Sequence, residues 1–189
     1  MQREIKKVIR YFSNFDYFPS FNEIYTFLPI KTTKIKLKGK LKYSIGEYSM
    51  KKCQMSTVKC QNSKNKLRKI RLYIKLLAKF PQIKLIGLSG TVAMMNAKKN
   101  DDIDLFIITS KDRLWTGRFI AVILTQILGL KRKRGAKKAK DKICLNLFFD
   151  ESKLLVPDFK KTEYVAHEIL QMKPLINKDR TYERFLRAN

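Results

Sequence analysis

The segment Leu88-Ser89-Gly90-Thr91-Val92-Ala93-Met94-Met95-Asn96-Ala97-Lys98-Lys99-Asn100-Asp101-Asp102-Ile103-Asp104-Leu105 decides how the chain is read. The apolar run Ile83 to Leu88 ahead of it predicts a short strand, ending at Ser89-Gly90. Glycine there lets the backbone turn tightly and come close to a ligand. A short helix over Val92 to Ala97 follows. Its first turn offers N–H groups and a positive dipole end, with the Thr91 hydroxyl as a further donor. Ser89, Gly90 and Thr91 are therefore candidate phosphate-binding residues. The chain then re-enters a strand at Asp102-Ile103-Asp104. Residues i and i+2 of a strand share a face, so Asp102 and Asp104 project together while Ile103 and Leu105 pack on the other side. Two adjacent carboxylates with no basic residue between them repel each other and are tolerable in solvent or when a divalent cation neutralises them; Mg²⁺ takes one or two carboxylates together with phosphate oxygens. Asp101 and Asp102 can instead cap a polar turn.

Outward from this segment the pattern alternates. A helix is predicted over 64–79, with Leu67, Ile70, Ile74 and Leu77 inward and Lys66, Arg68, Lys69, Arg71 and Lys75 mostly outward; Pro81 ends it. Ile103 to Thr109 reads as a strand and Arg113 to Leu130 as a long helix capped by Thr109 or Ser110. Its apolar stretch from Phe119 is too short to span a membrane and reads as a buried helix, with Trp115, Phe119 and Ile123 in the core. Ile143 to Phe149 is a third strand, with Cys144 as a core thiol. Helices near Glu163 to Met172 and from Tyr182 complete the chain, separated by Pro174. Such alternation predicts an α/β (α+β) fold, a small mixed sheet flanked by helices.

The first part of the chain reads differently. Residues 3–13 form one amphipathic helix, and Ser20 with Glu23 predicts a capping box on a second. Residues 33–50 are strand-like, because Ile35 and Leu37 alternate with lysines. Two helices and a basic ribbon outline a small winged-helix-like module, and residues 51–66 read as a linker running into the next helix. The division is 1–60 for module and linker and 61–189 for the second domain. Tyr11, Phe15, Tyr17 and Phe18 are candidates for base stacking or for the small core of that module.

Composition limits the class of protein. The 189 residues carry a net charge of +26, which favours polyanionic partners such as nucleotides, RNA or DNA. The excess is mostly lysine spread along the chain, as general lysine-rich usage also produces. The basic run Lys131-Arg132-Lys133-Arg134 with Lys137, Lys138 and Lys140 either grips a polyanion or is a solvated loop. Three cysteines without close spacing, no leader-like apolar segment and no membrane-length run predict a cytoplasmic protein without a membrane partner. The lone His167, followed by Glu168, lacks the second histidine of a zinc-protease motif and reads as structural. Neither a Walker loop nor a dinucleotide-binding glycine fingerprint is found in the sequence.

The central segment resembles the nucleotidyltransferase domain of the DNA polymerase beta superfamily. Small members of that family often read Gly-Ser-x-Ala-x-x-x-Ala-x-x-x-Ser-Asp-Ile-Asp. Here Gly90-Thr91, Ala93, Ala97, Asp101 and Asp102-Ile103-Asp104 fall on that pattern without a gap. The resemblance covers about residues 64–150. It implies a nucleotidyltransferase fold, a nucleoside triphosphate substrate, Mg²⁺ or Mn²⁺ held by Asp102 and Asp104, and transfer of a nucleoside monophosphate to a hydroxyl. It also implies a third carboxylate on the third strand. Strand parity puts Asn146 at that position; Asp141 and Asp150 are the alternatives. Asparagine can offer an oxygen to a metal but cannot act as a general base. The competing expectation is a nucleic-acid-binding regulator with an inactive or nucleotide-sensing core.

Overall fold

The chain folds as two compact units, residues 1–57 and 58–189. The computed structural model describes residues 1–44, 57–132 and 139–189, and at 42–44, 146, 163 and 164 the backbone alone. The 45–50 part of the expected ribbon, most of the expected linker, and Lys133, Arg134, Lys137 and Lys138 of the basic run lie outside the described residues.

The first unit is helical where it is described. Helix α1 spans Gln2–Ser13, α2 Phe21–Phe27 and α3 Lys34–Ser44. The Ser20–Glu23 capping box forms: Ser20 Oγ accepts from the Glu23 amide, and Glu23 Oε2 accepts from the Ser20 amide at 2.7 Å. Phe12 packs edge-on against Tyr11 and Phe27, and Tyr11 against Phe15, so these aromatics build the local core rather than a stacking surface. Helix α3 corrects the strand reading of 33–44. In a strand Ile35 and Leu37 would share a face; on a helix they lie about 200° apart. Ile35 is exposed and Leu37 fully buried, as the helix requires. The overlooked start signal is Thr33, whose Oγ1 accepts from the Lys36 amide at 3.2 Å.

The second unit is built on a four-stranded mixed sheet. Its strands are β1 Ile83–Leu88, β2 Ile103–Thr109, β3 Ile143–Asp150 and β4 Lys173–Asn177, in the order β3-β2-β1-β4. Strand β1 runs antiparallel to both β2 and β4, while β3 runs parallel to β2. A parallel neighbour needs a crossover, and α6, Leu114–Ile127, supplies it. Both faces of the sheet are covered. Ile86, Leu88, Ile103, Leu105 and Ile107 pack with Ile70, Tyr73 and Leu77 of α4, Thr57–Leu77, and with Ala121 of α6. On the opposite face Leu85, Phe106 and Ile108 meet Ile169 of α7, Glu163–Gln171, and Phe185 of α8, Thr181–Ala188. Burial on two sides is why β1 and β2 are apolar at nearly every position, with Lys84 and Asp104 as the interruptions.

Three further expectations need correction. Pro174 suggests a break between helices, but Lys173–Asn177 form β4, an edge strand, where proline is tolerated. Helix α6 starts at Leu114 after Arg113, and the Thr109 hydroxyl donates to the Phe149 carbonyl instead of capping it. Trp115, Phe119 and Ile123 are not core residues. With Ile127 they follow one another at four-residue steps along the outward face of α6, and Trp115 is 76% exposed. The inward face is made by Gly117, Ala121 and Thr125. Among the described residues no helix is long and apolar enough to cross a membrane.

Candidate functional site

The site begins where β1 gives way to the single-turn helix α5, Gly90–Ala93. Gly90 has φ of +63°, a conformation that disfavours side chains. A Cβ at this residue would also collide with Oδ2 of Asp104. The turn therefore presses its backbone directly against the carboxylate. The Ser89 amide donates to the Asp104 carbonyl at 3.0 Å, and Gln171 Nε2 of α7 donates to the Gly90 carbonyl at 3.0 Å. Asp101 has a structural task. Its Oδ2 accepts from Thr91 Oγ1 at 2.9 Å and from the Lys98 amide at 2.8 Å, closing the loop between α5 and β2.

Helix α4 holds that loop from below. Lys66, expected to face outward, is 2% exposed. Its Nζ donates to the carbonyls of Lys99 at 3.1 Å and Asp101 at 2.6 Å, and pairs with Asp141 at 2.9 Å. Ser63 is buried beside it, and its Oγ accepts from the Ala97 amide at 3.1 Å. The signal was present in the spacing. Ser63, Lys66, Ile70, Tyr73 and Leu77 repeat at alternating steps of three and four and form the buried stripe, which shares Ile70 and Leu77 with the stripe read off the larger aliphatics and takes Lys66 and Tyr73 in place of Leu67 and Ile74.

Asp102 and Asp104 lie at the start of β2, with Ile103 and Leu105 buried on the opposite face. Across the parallel register Asp104 faces Cys144 of β3. One carboxylate oxygen of each aspartate and the Cys144 sulfur all lie within 4.8 Å of one another. Arg132 closes the group. Its Nη1 is 2.5 Å from Asp102 Oδ2 and 3.5 Å from Cys144 Sγ. On the far side Glu168 of α7 accepts from Ser89 Oγ at 2.7 Å. Burial, then the charges of Asp102 and Glu168, push the Asp104 carboxyl up to about 6 against the opposing pull of Cys144 and Arg132. Burial likewise raises the Cys144 thiol, reinforced by the two aspartates.

Cys144 is thus half-buried at the site and is not the core thiol expected. The two alternative acids are engaged elsewhere. Burial alone would raise Asp141, but hydrogen bonds from Lys69 and Lys66 hold it below the usual carboxylate range. Asp150 pairs with Thr109 at the other end of β2 and accepts from Ser152. The backbone of Asn146 lies in β3 where the register skips between Leu145 and Leu147; the expected role of its side chain lies outside the described residues. Glu168, Lys66 and Gln171 had no part in the sequence reading of the site, and Arg132 entered it only as one residue of a basic run that either grips a polyanion or is solvated. Arg132, Glu168 and Gln171 reach it only through the folded sheet.

An oxygen from each aspartate and the Cys144 sulfur form a donor set that could hold a metal ion, and Arg132 supplies positive charge beside Asp102. A cavity of about 440 Å³ lies away from it, lined by Leu67, Ile70 and Ile74 of α4 and Leu175 and Ile176 of β4. No family model, curated protein or solved structure matches the chain.

Proposed function

We propose that the second unit is a nucleotidyltransferase that moves a nucleoside monophosphate from a nucleoside triphosphate to a hydroxyl acceptor and releases pyrophosphate. The observation that carries this reading is the contact between the Gly90 turn and Asp104, because it sets the backbone of the expected phosphate-binding turn against a carboxylate pair that could hold a metal ion. Asp102 and Asp104 would hold Mg²⁺ or Mn²⁺, which when bound supplies charge neutralisation at the α-phosphate. The side-chain hydroxyls of Ser89 and Thr91 are engaged with Glu168 and Asp101. The grip on phosphate therefore falls to the backbone N–H groups of the turn. Arg132 stands at the mouth of the pair and offers a planar cation that suits phosphate oxygens. Besides Asp102, the carboxylate whose charge bears on Asp104 is Glu168, and on this reading it would take the acceptor's proton.

The acceptor class is RNA, a protein side chain or a small molecule such as an aminoglycoside. The test is incubation with Mg²⁺ or Mn²⁺, each α-labelled triphosphate, and those acceptor pools. Label should appear on one pool and disappear with Asp102→Asn/Asp104→Asn. Absence of label, with triphosphate binding unchanged in that variant, would sink the reading. The second reading, a nucleic-acid-binding regulator with an inactive core, draws on the net charge of +26 and on a thiol beside Asp104. It requires polynucleotide binding that weakens steeply with salt and ignores both aspartates.

A further inference from the structure

The third donor of the cluster is a sulfur. Cys144 faces Asp104 across the β2–β3 register, and its Sγ converges with an oxygen from each aspartate inside 4.8 Å. A single positively charged nitrogen, Arg132 Nη1, already touches both Asp102 Oδ2 and Cys144 Sγ, which marks the point between oxygen and sulfur as a place for a cation. Two carboxylates and a thiolate form a mixed set that Mg²⁺ does not favour. Mg²⁺ demands oxygen donors in near-ideal octahedral geometry. Softer sulfur selects borderline ions, and three protein ligands with an open position are the pattern of reactive zinc sites.

We propose that Cys144 is the third metal ligand and that the site prefers a thiophilic divalent ion, Zn²⁺ or Co²⁺, over Mg²⁺. The inference rests on the proposed metal-binding role of Asp102 and Asp104 and specifies which ion they share. On binding, the Cys144 S–H bond breaks, a sulfur–metal bond forms, and the proton passes to buffer. Arg132 gives up its contact with Asp102 and Cys144 when the ion enters.

The experiment is a titration of the full chain carrying Cys53→Ser/Cys60→Ser with Co²⁺ alone, followed in the near-ultraviolet for thiolate-to-cobalt charge transfer. The expected result is a saturable band, lost in Cys144→Ser and in Asp102→Asn/Asp104→Asn. Mg²⁺ should displace the bound ion only at concentrations at least tenfold higher, or about 1.4 kcal/mol. Cys144→Asp, which supplies an oxygen in place of sulfur, should lose the band and narrow the preference over Mg²⁺; melting curves of each variant confirm that it is folded. Aspartate-dependent Co²⁺ binding without the band, a band that survives Cys144→Ser, or Mg²⁺ competing at equal concentration would overturn the sulfur ligand and leave the transferase reading standing. Absence of any aspartate-dependent metal binding would overturn both.

Discussion

Asp104 shows how a single residue carries opposing demands. Its carboxyl is packed under Gly90, beside Asp102 and near Glu168, and titrates at about 6 against 3.8 for an ordinary aspartate. Below 3.8 the group is protonated folded or unfolded and does not oppose folding. As pH rises through that window the unfolded chain releases its proton first, so this stability is lost until about 6 is passed. Metal-free Asp104→Asn should therefore melt a few degrees above the parent near neutrality, on the order of 1 kcal/mol. The difference should shrink as pH falls through the window, as melting curves would read; a gap independent of pH would assign it to packing instead. The aspartate pair was legible in the sequence because side chains two apart in a strand share a face. The place of Cys144 beside it was not. Cys144 and Asn146 have the same parity, and only the register between strands separated by a long crossover says that Cys144 faces Asp104.

At the scale of elements, long apolar segments declared themselves and short polar ones did not. The extent of β2 follows from its apolar run Leu105 to Ile108, with Ile103 ahead of Asp104. Helix α3 was misread because alternating lysines imitate a strand over a few residues, whereas the Thr33 cap and the opposite exposures of Ile35 and Leu37 belong to a helix. Helix α4 was found, but its buried stripe was assigned from residue size, which moved Lys66 to the wrong face. That lysine makes the helix a brace for the loop preceding Asp102. Lys66→Met should cost about 3–5 kcal/mol, since Asp141 and two loop carbonyls lose a buried partner. Chemical denaturation would measure this, and Lys69→Met, at an exposed lysine of the same cluster, should cost far less. Equal losses would show that the brace is not in Lys66.

For the molecule as a whole, the chain separates into a first unit that is helical where it is described and a sheet-based second unit, and the element order of the second unit is largely that read from the alternation of apolar runs. Its packing was less legible, because a local pattern does not say how many faces of a helix find a neighbour. Helix α6 is the clear example: apolar on nearly every side, yet covered on one. The outward row of Trp115, Phe119, Ile123 and Ile127 belongs to a chain with net charge +26. In dilute buffer, like charge holds two such molecules apart; at about 0.15 M salt that repulsion extends only about 8 Å. The protein should thus behave as a charge-stabilised colloid with an adhesive stripe, in which added salt promotes attraction. Light scattering should show association increasing with sodium chloride, and Phe119→Lys/Ile127→Lys should remove the increase without lowering the melting temperature. Scattering that falls with salt would instead mean that the contacts are ionic and that the stripe plays no part in them.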